Sequence, residues 1–144
     1  MLQAFSVGHS GAGASAIEIK KIAENKYAIL AYDDFMQQGV EGRYVVIVMR
    51  VNNKFKEVAN IKLESQVDAS MNLGLNYAKE RDAYFDKRFH GYTSELSFKS
   101  IKGNLFPAII VKHIGHYDDS LKLLKIPKKE VYNFVGNHYQ LVKQ

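Results

Sequence analysis

The chain has 144 residues, 47% of them hydrophobic and 24% charged, with no cysteine and a net charge of +5. This length suits one domain spanning 1–144 with a core of its own, and the composition is that of an ordinary globular protein. Disulfides and thiolate metal sites are excluded, and no run approaches the ~20 apolar residues of a membrane-spanning helix.

No basic segment precedes an apolar run at the N-terminus, so a secretory leader is not expected, and a cytoplasmic location fits the lack of cysteine. The charge comes in blocks: −2 over 1–42, +4 over 43–63, −2 over 64–95 and +5 over 96–144. Such blocks suit an anionic partner, either nucleic acid or an acidic protein surface.

In chain order, LQAFSV reads as a short first strand. VGHSGAGASA (7–16) then offers glycines, serines and a histidine. Gly8, His9 and Ser10 begin a nucleophile elbow, Gly-x-Ser-x-Gly, but Ala12 stands where the final glycine belongs, and no strand–helix alternation surrounds it. Gly11, Gly13 and Ala16 form Gly-x-Gly-x-x-Ala. With a helix over 14–25, Asp33 at the end of the next strand would face a ribose. Against this, Val7 ends its strand four residues before Gly11, and no βαβ pattern follows. The simplest reading is a small-residue connection between strands.

AIEIKKIAENKYAILAY (16–32) has two readings: a hairpin turning at Glu24-Asn25-Lys26, or a helix over 14–25 followed by a strand over 27–32. Glu18-Ile19-Lys20 has the Glu-x-Lys spacing of a metal-nuclease half-motif without the acidic residue that would complete it. RYVVIVMRV (43–51) is continuously apolar and β-branched, as in a strand covered on both faces. Asn52-Asn53 predicts a tight turn, since asparagine tolerates positive φ. KFKEVANIKL (54–63) returns with Phe55, Ala59, Ile61 and Leu63 on one face and Lys54, Lys56, Asn60 and Lys62 on the other. Glu57 and Val58 each sit on the wrong face.

Ser65 with Asp68 predicts a capping box. Val67, Met71, Leu75, Ala78, Phe85 and Phe89 then mark one face of a long helix running to about residue 89. ELSFKSIK (95–102) and LFPAIIVKHI (105–114) read as a hairpin whose second strand is an edge strand or starts late, because Pro107 has no N–H to donate. Asp118, Asp119 and Ser120 offer caps for a short helix, and Pro127 opens a final one. Its stripe is Val131, Phe134, Val135, Leu141 and Val142, with His138 as a half-buried member and Gly136 as a weak point.

Together these elements predict an α+β domain: a mostly antiparallel sheet built from hairpins, with a long central helix and a C-terminal helix on one face. Chemistry is sparse. His113, His116, Asp118 and Asp119 could ligate a divalent metal only if the chain bends near Gly115. The stronger pattern is the basic sheet face of Arg43, Lys54, Lys56 and Lys62, which could follow a phosphate backbone while tyrosines and phenylalanines stack on bases. The reading is a non-catalytic binding domain for nucleic acid, without cofactor or metal. The alternatives are a module presenting basic charge to an acidic protein, or a small metal- or nucleotide-dependent enzyme. A homo-oligomer stays among the options.

Overall fold

A computed structural model describes residues 16–37, 40–67, 90–116 and 128–142. They form eight strands: β1 (Ala16–Ala23), β2 (Lys26–Gln37), β3 (Val40–Val51), β4 (Lys54–Val67), β5 (His90–Lys99), β6 (Ala108–His116), β7 (Lys129–Val135) and β8 (His138–Leu141). All pair antiparallel with their sequence neighbours in one sheet of order β1 to β8.

The α+β expectation is therefore corrected to an all-antiparallel sheet, with no helix among the described residues. Ser65, expected to cap the central helix, is a fully buried sheet residue between Gly42 on β3 and Tyr92 on β5. Local capping chemistry lost to ladder pairing on both sides. Residues 68–89 lie outside the described part, as do the 2–7 strand and the 118–120 caps. The C-terminal helix is replaced by the β7–β8 hairpin. Gly136, at φ 67, occupies the left-handed conformation that the turn requires and that glycine adopts without steric cost. His138 lies on β8, exposed rather than in a helical core stripe, with Nδ1 3.0 Å from Asn137 Oδ1.

Between 16 and 32 the hairpin is the form adopted, with Asn25 at φ 56 in its turn. Asn52 and Asn53, at φ 51 and 64, make the expected β3–β4 turn. β3 is buried on both faces from Val45 to Met49. β6 begins directly after Pro107 and pairs with both β5 and β7, so it starts late and is not an edge.

The sheet curls so that β8 lies against β4. One face of the curl holds the main core, in which Leu30, Val45, Ile47 and Met49 meet Ile109, Val111 and Tyr139. A smaller cluster of Ala31, Val46 and Val48 lies on the reverse face of β2 and β3. Two irregularities in the β3–β4 register leave Val58 and Leu63 as extra residues on β4, and both are buried in the main core. Each is a bulge that lets an apolar side chain rejoin the core at the cost of local register.

Candidate functional site

The bulge at Val58 decides where the basic residues go. Directly opposed residues of an antiparallel pair share a face. Lys62 is opposite Tyr44 and Asn60 opposite Val46, on the reverse face. Beyond the bulge the parity inverts: Lys56 is opposite Met49 and Lys54 opposite Val51, on the core side. The expected row of Lys54, Lys56 and Lys62 on one face is thus broken in two.

Arg43 is engaged elsewhere. Its Nε donates to Asp34 Oδ1 at 2.6 Å and its Nη2 to Oδ2 at 3.1 Å, a two-pronged pair. The Arg43 hydrogen bond holds the Asp34 carboxyl below its ordinary pKa. Lys62 Nζ stands 5.6 Å from the Phe35 ring centroid and 5.8 Å from that of Tyr44. Gly42 makes room for this arrangement, since any side chain there would enter the Phe35 ring.

In an up-and-down meander alternate connections fall at one end. The β1–β2, β3–β4, β5–β6 and β7–β8 turns accordingly gather around one cleft of ≈ 680 Å³, a volume in the range of ligand sites. Four aromatic residues line it: Phe106 and Phe134 on the core side, and Tyr27 with Phe55, which is opposite Arg50 in the ladder, on the reverse face, so the lining is drawn from both faces at the turn end. Tyr27 is 58% exposed and Phe55 50%. Phe106 and Phe134 stack at 4.0 Å between centroids, and Phe134 meets Tyr139 edge-on at 5.2 Å, tying the wall to the core. The Tyr139 hydroxyl donates to the Pro107 carbonyl at 2.8 Å, and burial pushes its pKa up.

Among the described residues, Lys26 and Arg50 are the charged members of the lining and no carboxylate is part of it. Lys26 Nζ lies 4.7 Å from the Phe106 centroid. Arg50 Nη2 donates to Asn53 Oδ1 at 3.2 Å. Asn25, Asn52 and Asn53 add amides at the rim. Lys54 follows the turn directly, whereas Arg43 lies nine residues down β3 from Asn52, about 30 Å at the usual strand rise.

A second polar cluster spans β5, β6 and β7. His113, its side chain 5% exposed, has Nδ1 2.6 Å from Ser94 Oγ and Nε2 3.0 Å from Glu130 Oε2. The Tyr132 hydroxyl donates to the same Glu130 oxygen at 3.0 Å. The neutral tautomer that satisfies both contacts has its N–H on Nε2, toward Glu130, and accepts from the Ser94 hydroxyl on Nδ1. Tyr92 meets the imidazole edge-on, at 5.3 Å between centroids. Burial, and then the Glu130 charge, push the Tyr132 phenol well above its ordinary value.

Chemically this is a serine next to a base that a third group orients, an arrangement shared with nucleophilic enzymes. Ser94, however, sits mid-strand, directly opposite His113 in the ladder, where such hydrogen bonds tie strands together. Both ring nitrogens of His113 are committed, so this residue does not present a lone pair to a metal. Asp118 and Asp119 lie outside the described residues, and no group of three or more potential metal ligands occurs among those described. The glycine loop also lies outside them, apart from Ala16. Residues 16–23 are strand, which removes the helix that a dinucleotide reading requires.

Comparison with protein-family models, curated proteins and solved structures finds no match to the chain. Among the described residues no helix is long and apolar enough to cross a membrane. Sequence reasoning missed Lys26, Arg50, Tyr27 and Phe55 as neighbours. The available signal was four turn-like dipeptides at hairpin tips, which a meander must bring to one end.

Proposed function

We propose that this protein is a nucleic-acid-binding domain that takes single strands in the turn-end cleft. The observation that carries the reading is a cleft whose described lining combines four aromatic residues with Lys26 and Arg50 and holds no carboxylate. Tyr27 and Phe55, each at least half exposed, supply stacking faces that any base can use. Lys26, Arg50 and Lys54 supply phosphate partners. Single strands fit better than duplex, because the rings are useful only to unstacked bases.

The test is a fluorescence-anisotropy titration of single-stranded and duplex DNA and RNA at several salt concentrations. Removing all three cations (Lys26→Ala, Arg50→Ala, Lys54→Ala) should flatten the salt dependence of log K by about 2, at ~0.7 per phosphate on single strands. Phe55→Ala should weaken binding by roughly 5- to 150-fold with the slope unchanged, the range that loss of one stacked base gives. Lys62→Ala, opposite Tyr44 and about 20 Å along β3 from Arg50, should change neither. No binding at about 0.1 M salt, or a Lys62→Ala defect as large as the cleft variants', refutes the assignment; capture of an acidic peptide in place of nucleic acid would do so too.

A further inference from the structure

We propose that the edge of β1 away from β2 is a self-association site, at which a second copy of this chain adds its own β1 antiparallel to the first across a two-fold axis. β1 is the first strand of the sheet order and pairs only with β2 among the described residues. Its Ile17 is 68% and its Ile19 72% exposed, on the face they share with Ala31 and Ile29 of β2. Two large exposed apolar side chains on a sheet edge form a template for another strand. Edges are usually blunted by bulges or by charged side chains, and Lys20 and Lys21 keep this one from pairing with any strand that does not offer a carboxylate in register. The irregularity here lies between Lys21 and Ala23, which leaves residues 16–21 regularly paired to β2.

The strand's own charges identify its occupant. In a two-fold antiparallel pair, opposed residues lie on the same face, so the centre of symmetry falls on a residue. Centring on Glu18 opposes Glu18 to itself, and centring on Lys20 opposes Lys20 to itself. Centring on Ile19 pairs Glu18 with the partner's Lys20 twice and stacks Ile19 on its own copy. It also sets Ile17 beside the aliphatic stem of the partner's Lys21. Of these three registers this one alone is favourable on both faces. Within one copy Glu18 accepts a hydrogen bond from Tyr32 at 3.3 Å and Lys20 Nζ stands 5.9 Å from the Phe98 ring centroid, so both side chains lie on the face of β1 that opposes Leu30 and Ala28. The inference does not depend on what the cleft binds.

Sedimentation velocity of the full chain over a concentration series, at about 0.15 M salt where surface charges still act at short range, reads the assembly directly. Wild type should sediment as a concentration-dependent dimer. Glu18→Lys and Lys20→Glu should each weaken dimerisation about tenfold or more, since two attractive pairs become repulsive. An equimolar mixture of the two single variants should form heterodimers, and the double variant Glu18→Lys/Lys20→Glu should recover the homodimer. Circular dichroism of each variant should match wild type, which separates lost assembly from lost folding. A wild type that stays monomeric up to about 100 µM refutes the site, as that leaves affinity no better than weak. Single variants that dimerise like wild type, or a double variant that fails to recover while folded, refute the register and with it the inference.

Discussion

Replacing His113 by leucine should destabilise the domain by about 2–3 kcal/mol. The substitution keeps the volume roughly apolar and fills the site, so the cost is electrostatic rather than a cavity. It removes the Nε2–H that Glu130 accepts at 3.0 Å and the Nδ1 that Ser94 reaches at 2.6 Å. A hydrogen bond to a charged group contributes ~1.5–3 kcal/mol, and a buried polar atom left without a partner costs ~1–3. The sum is held down because Glu130 keeps Tyr132 as a donor and remains 22% exposed to water. Urea unfolding followed by far-ultraviolet circular dichroism would read this as a midpoint shift of about 0.7–3 M, given slopes of ~1–3 kcal/mol/M. The companion variant His113→Leu/Glu130→Leu should cost at least ~1 kcal/mol less than the two single changes added together, because each single change strands the other's partner. A His113→Leu protein within about 0.5 kcal/mol of wild type, or a strictly additive double variant, would show that the cluster does not tie β5, β6 and β7 together.

Asp34→Asn should remove a small stabilisation, at most ~1 kcal/mol, because Asp34 and Arg43 are 30% and 42% exposed and solvent screens the pair. The folded carboxyl is lowered, so its contribution is complete above the unfolded value of ~3.9 and is lost as pH falls through the folded value. Thermal melts of wild type and variant should accordingly differ at pH 6 and converge below about pH 3; a gap that widens in acid would contradict the sign. Gly136→Ala should lower stability by ~1–2 kcal/mol purely through backbone strain, since φ is 67 and open space surrounds the added methyl. An unchanged melting temperature in that variant would mean the β7–β8 turn can relax at no cost.

Much of the sheet was readable because its signals are local. β3 announces itself as an unbroken run of Val, Ile and Met, the two asparagines after it tolerate positive φ, and Pro107 delays β6 by one missing donor. Even the Val58 bulge left a trace: Glu57 and Val58 each fell on the wrong face of a strict alternation, and one extra residue corrects both. The helices read at 65–89 and after Pro127 failed for one reason where they can be judged. Apolar spacings of three and four arise readily in sequences that also support strands, and Ser65 and Gly136 carry capping or breaking signals in either context. Ladder partners on β3 and β5 for the first segment, and on β6 for the second, settled the competition.

The two sites were decided by tertiary structure alone. His113 and its partners come from three strands separated by 17 to 19 positions, and the cleft gathers turns from residues 25 to 136. Neither spacing repeats along the chain. By itself the sequence determined which segments could be strands and where they could turn. Which side each lysine faces, and which rings meet, followed from register and curl, because a single bulge inverts every side chain beyond it.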